Sequence, residues 1–261
     1  MSHFENQEEE INHVNSLWEK EMSSRVITLL KQGSSLQEIL DAEALKKPLV
    51  SPDTMKCSDG RCYTGLGSIY SAGGGMLATD EEFGDIIKKN PNLKILTSHD
   101  GCGASEILFA YYKDNNIPLP ECVTTPAELA VWWAKDKAQK FGLEHQHIST
   151  EELNDIHHHE LGIWVDGTGN LDPGLISGMP NVFTSELASV SKGKSFVKET
   201  EALTGIGLGK HGLDKFLDKN PFYIFICAKD EVEIERLIAL VKEAVGKYGN
   251  KVAIKTAISP F

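Results

Sequence analysis

The sequence predicts an α/β protein, with a parallel sheet core flanked by helices and preceded by N-terminal helices. Three observations carry that expectation. Phe222 to Cys227 is an unbroken apolar run of strand length, and an amphipathic helical pattern follows it from Glu231 to Tyr248. Leu93 to Ser98 is a second short strand, ending at His99 just before a helical segment from Ser105 to Tyr112. Strand-like and helix-like segments alternate through most of the chain, the order that favours parallel pairing.

The elements follow in order. Residues 5 to 23 place Ile11, Val14, Leu17 and Trp18 at helical spacing on an acidic segment, and Ser24 to Gln32 repeats the pattern. Gly33-Ser34-Ser35 interrupts it, and Ser35 is positioned to cap a third helix through Ala44. These helices, residues 1–47, read as an extension ahead of an α/β domain spanning 48–261. They need a surface to lie on, in their own domain or on a partner subunit. Pro48 to Pro52 reads as a linker, and Met55-Lys56-Cys57 as a polar approach to a strand end. A glycine-dense stretch runs from Gly65 to Gly75; Thr79 opens a helix that Asn90-Pro91 ends. Pro126 opens another, closed by Gly142 and carrying Trp132 and Trp133. Leu161 to Val165 reads as a strand, Asp166-Gly167 as a tight hairpin turn, and residues 173 to 200 as loop-rich. Leu203 to Phe216 is partly helical, and its Gly205-x-Gly207-x-Gly209 run suits a turn or a close helix contact better than a phosphate loop. Val252 to Ala257 closes the chain as a last strand. No internal repeat is evident.

Composition narrows the function classes. An apolar content of 41% and a charged content of 25% over 261 residues are ordinary for a soluble globular protein. A formal net charge of −12 argues against nucleic acid and against anionic membrane surfaces as partners. The N-terminus has neither a basic region nor an apolar run of a secretory signal, and no segment has the apolar length of a membrane span. Five scattered cysteines do not form a disulfide framework and fit a reducing, cytoplasmic setting.

Chemistry concentrates in two short segments, Cys57-Ser58-Asp59-Gly60-Arg61 and His99-Asp100-Gly101-Cys102-Gly103. Two thiolates and an imidazole suit zinc, and three protein ligands leave a position open for water, the arrangement of a catalytic rather than a structural site. Asp59 and Arg61 can pair and orient what the metal binds. His157-His158-His159-Glu160 permits three readings: polar residues at a strand entrance, a proton shuttle, or a second metal site.

Together the two segments resemble the β-class carbonic anhydrases, which carry Cys-x-Asp-x-Arg after one strand and His-x-x-Cys-Gly after a later one. The resemblance covers about residues 54 to 112. Where that family has Arg-Asn-Ala-Gly-Asn, this chain has Tyr70-Ser71-Ala72-Gly73-Gly74. Other features are similar to the diatom cadmium-using carbonic anhydrases: Lys56-Cys57, the glycine run, His157-His158, and Gly169-x-Leu171-x-Pro173. The chain also resembles, in the same respects, the limiting-CO2-inducible carbonic anhydrases.

The resemblance implies a β-carbonic-anhydrase-like sheet and one Zn2+ per subunit, or Cd2+, on Cys57, His99 and Cys102. It implies reversible hydration of CO2 to bicarbonate and a proton by a zinc-bound hydroxide. Asp59 would accept a hydrogen bond from that hydroxide, Arg61 would hold Asp59 off the metal, and the Gly103 N–H would donate to substrate. It also implies a homodimer or higher homo-oligomer acting on a small molecule, CO2 or bicarbonate. Two alternatives stand beside it: a hydrolase of carbonyl sulfide or carbon disulfide on the same scaffold, and a metal-bearing bicarbonate sensor or assembly subunit without turnover.

Overall fold

The structure is a computed structural model and describes residues 7–46, 51–62, 67–153, 161–209 and 221–261. Two four-stranded parallel sheets form its centre. In the first, β1 (Thr54–Cys57), β2 (Ser68–Ser71), β3 (Ile95–His99) and β4 (Glu144–Ile148) lie in the order β2-β1-β3-β4. In the second, β5 (Gly162–Asp166), β6 (Phe183–Ser185), β7 (Phe222–Ala228) and β8 (Val252–Ile258) lie in the order β6-β5-β7-β8. The strand order is the same in both, first strand beside second and third, fourth outermost. A repeat is therefore present in topology where none is evident in residues. The sheets meet at their β2 and β6 edges, where the Glu186 N–H donates to the Tyr70 carbonyl oxygen at 2.9 Å.

Helices cover the sheets as the parallel-sheet expectation requires. In the first half these are α4 (Asp80–Lys89), α5 (Gly103–Asp114) and α6 (Pro126–Phe141); in the second, α7 (Lys194–Gly209) and α8 (Glu231–Val245). Local chemistry sets their starts. Thr79 with Glu82, and Thr125 with Glu128, form capping boxes that satisfy backbone N–H groups orphaned by the first turn. Phe83 of α4 sits edge-on to Trp133 and against Phe141 of α6, with centroids 5.9 and 5.0 Å apart.

Two of the N-terminal helices, the second and the third, find their surface within the chain. α1 (Gln7–Met22) leads into α2 (Arg25–Lys31) and α3 (Leu36–Ala42), with Ser35 and Glu38 as the third capping box. Val26, Ile27, Leu36, Ile39 and Leu40 are all but fully buried, in one cluster with Trp164, Phe225 and Cys227 of the second sheet. Each such Leu, Ile or Val contributes roughly 1.5–3 kcal/mol by leaving water.

One expectation needs correcting and another needs refining. Asp166-Gly167 is not a hairpin turn, because β5 pairs with β6 and β7 in parallel and a parallel partner needs a crossover. The Asp166 carboxylate instead folds the following loop, accepting from Thr168 N and Oγ1 and from Leu171 N at 2.7–2.8 Å. Residues 173 to 200, expected to be loop-rich, also hold the short strand β6 and the start of α7. The helix contact expected of the Gly205 to Gly209 run is there: a Cβ on Gly207 would lie 2.4 Å from the Phe222 ring. Among the described residues no helix is long and apolar enough to cross a membrane.

Candidate metal centre

Two strand ends and one helix start converge on a single point. β1 stops at Cys57 because Asp59 turns the chain: its carboxylate accepts the Arg61 N–H at 2.9 Å, and its carbonyl accepts the Cys62 N–H at 2.8 Å. The register of β1 with β3 places the two carboxyl ends side by side, so Cys57 and His99 emerge next to one another. Gly101 then takes φ +65°, a backbone conformation that a side chain disfavours, and the reversal sets Cys102 at the N-cap of α5. The Cys102 side chain makes no capping hydrogen bond, which leaves its sulfur available.

The donor atoms of Cys57, His99 and Cys102 all lie within 4.8 Å of one another, and each residue is at most 5% exposed. His99 is set up as a ligand. Its Nδ1 donates to the Asp100 carbonyl oxygen at 2.8 Å, which fixes the ring with Nε2 toward the sulfurs. Burial lowers the metal-free imidazole pKa, but the Cys102 and Cys62 sulfurs outweigh it and raise it to about 11. Nε2 is buried without any hydrogen-bond partner. An orphaned imidazole nitrogen between two buried thiols fits a divalent cation, since a buried polar atom otherwise loses its water with no return. The neighbouring Cys57 sulfur and burial both push the Cys102 thiol well above its ordinary value, so the metal-free cluster retains its proton and a bound cation would displace it.

Asp59 and Arg61 form the expected pair. Arg61 Nη2 donates to Asp59 Oδ2 at 2.7 Å and Nε to Oδ1 at 3.1 Å, a bidentate clamp, while Nη2 also reaches the Gly101 carbonyl at 2.9 Å. Burial disfavours the Arg61 charge, but the Asp59 carboxylate outweighs it and raises the guanidinium pKa. With both oxygens engaged, Asp59 is held as a hydrogen-bond acceptor. Gly103 is the first residue of α5, where N–H groups have no partner within the helix.

A cavity of about 170 Å³ opens on the cluster, lined by Cys57, Asp59, Gly103, Phe183, Leu203 and Ile206 among others. It has room for a few molecules the size of water. A second, mostly apolar cavity of about 560 Å³ shares Gly103 and Ile206 with it. No family model matches the chain, and no curated protein or solved structure matches it either.

Among the described residues the second half has no counterpart of this cluster, and its equivalent strands end differently, β5 at Asp166 and β7 at Ala228. Three features of the site were not foreseen in the sequence. The Gly73 N–H donates to Cys57 Sγ at 3.2 Å. Cys62 is buried close enough to His99 and Cys102 for the three to influence one another. Phe183, Leu203 and Ile206 come from the far half of the chain, and only the glycine run hinted at any of this. His157, His158, His159 and Glu160 lie outside the described residues.

Proposed function

We propose that this chain is a carbonic anhydrase of the β-like kind, hydrating CO2 reversibly to bicarbonate and a proton. The observation that carries the reading is a buried Cys57-His99-Cys102 cluster, with an orphaned His99 Nε2, opening on a small cavity beside a clamped Asp59. Zn2+ held by these three residues would act as a Lewis acid that brings the pKa of a coordinated water to about 7. Cys57 and Cys102 would balance the ion's charge, and His99 would complete the set with its tautomer fixed by Asp100. Asp59 would accept a hydrogen bond from whatever oxygen occupies the fourth position, with Arg61 keeping the carboxylate from taking that position itself. The Gly103 N–H would donate to a substrate oxygen. The apolar walls of Phe183, Leu203 and Ile206 suit a small uncharged molecule better than they suit bulk water.

The same walls and the adjoining apolar cavity also suit carbonyl sulfide or carbon disulfide, the second reading. Five free thiols are what a reducing, cytoplasmic setting would maintain. A homodimer is proposed from the family resemblance. Stopped-flow CO2 hydration on protein of measured zinc content tests the first reading. Turnover that vanishes in Cys102→Ala supports it. Fully loaded protein that turns over only the sulfur analogues supports the second reading, and no turnover on any of the three supports the sensor or assembly alternative.

A further inference from the structure

Glu199 is fully buried on α7, in the half of the chain opposite the Cys57-His99-Cys102 cluster, yet its side chain reaches into the other half. Oε1 accepts from Ser71 Oγ and from Ala72 N, each at 2.5 Å, and Oε2 accepts from Ser185 Oγ. Ser71 is the residue paired with Cys57 in the β1–β2 register. Immediately after it, Ala72–Gly74 forms a single tight turn, with Gly73 at φ +62°, and that turn aims the Gly73 N–H at Cys57 Sγ. A buried carboxylate is costly to keep and is retained only where its hydrogen bonds are satisfied. Here they fix a backbone segment that donates to a ligand sulfur.

We propose that Glu199 is a positioning residue for the metal centre, anchoring Ser71 and Ala72 so that the Gly73 N–H donates to the Cys57 thiolate. The proposal rests on the reading that Cys57, His99 and Cys102 hold a metal. An N–H···S bond withdraws electron density from the thiolate and restrains its direction, so it bears on both affinity and ligand-field geometry. It also makes the centre depend on both halves of the chain, with ligands from one and their alignment from the other. Glu199 does not line the cavity and takes no part in the reaction itself.

The test uses full-length protein with Zn2+ in competition with a chelating dye and Co2+ as the spectroscopic probe. Glu199→Met removes both acceptors at similar length, whereas Glu199→Gln keeps an acceptor oxygen for Ser71 and Ala72, and Ser185 can turn its hydroxyl to suit. The Met variant is expected to bind 10–100-fold more weakly, as outer-shell losses do, with Gln within about threefold of wild type. The thiolate-to-cobalt charge-transfer band should move to longer wavelength in Met and stay in place in Gln, a change that a merely structural role would not produce. Should the Met variant not fold, Ser71→Ala, which deletes one donor hydroxyl, should shift the band in the same direction by less. Wild-type binding with an unmoved band in Glu199→Met, or in Ser71→Ala if Met does not fold, overturns the inference alone. A wild-type chain that takes up neither ion overturns the metal reading and the inference together.

Discussion

Replacing Arg61 with alanine probes the centre without touching a ligand. The guanidinium makes three contacts with the Asp59 carboxylate at 2.7–3.2 Å and a fourth with the Gly101 carbonyl, and both side chains are largely covered, at 15% and 11% exposure. Removal takes away the guanidinium donors and leaves the backbone N–H of residue 61 still donating to the carboxylate. Hydrogen bonds to charged groups are worth about 1.5–3 kcal/mol and breaking a buried pair about 3–5, so a partly exposed pair should cost about 2–4 kcal/mol. The assay is urea denaturation of metal-free protein, with Asp59→Asn and the double variant completing a cycle. A coupling of at least about 1 kcal/mol is expected, persisting in salt because covered pairs are weakly screened. A loss below about 0.5 kcal/mol, in the range of an exposed ion pair, would refute the claim that Arg61 clamps Asp59.

Other consequences are as direct. Gly101→Ala places a Cβ at φ +65° and 3.5 Å from the Arg61 guanidinium, so stability should fall by about 1–2 kcal/mol, read as a lower Tm, with weaker metal binding. An unchanged Tm would mean that the turn does not need glycine. Burial and the nearby Asp166 carboxylate push Glu186 well above its ordinary value, so protonation stabilises the fold below the unfolded pKa and that stabilisation is lost as pH rises through the folded one. Glu186→Gln should therefore match wild type near pH 4, an ordinary carboxylate pKa, and gain an increasing lead in Tm as pH rises from there; parallel Tm profiles would contradict this.

What could be read in advance follows from the range of the interactions involved. The Asp59 turn and the strand-turn-helix run from Ile95 into α5 are built from neighbours in the chain, so Cys57, Asp59, Arg61, His99, Cys102 and Gly103 were all legible. Several helices announced themselves through their starts, as at Ser35, Thr79 and Pro126. β2 and β6 are only four and three residues long, too short for a period to show. β4, Glu144-His145-Gln146-His147-Ile148, is a polar edge strand whose outward side chains hide its pairing with β3. The Asp166 turn misled because Asp-Gly signals a hairpin only when the next strand is antiparallel, which is a tertiary fact. Glu199, Ile206 and the Gly73 N–H reach the centre across more than a hundred residues or through backbone geometry, beyond any local pattern.

X-ray absorption at the zinc edge on stoichiometrically loaded protein tests the central claim most directly. One ion per chain is expected, with two sulfurs near 2.3 Å and nitrogen or oxygen neighbours near 2.0–2.1 Å, and uptake should disappear in Cys57→Ser and in Cys102→Ser. No uptake by wild type, an all-oxygen shell, or a closed shell of three or more sulfurs would contradict an open site built from Cys57, His99 and Cys102.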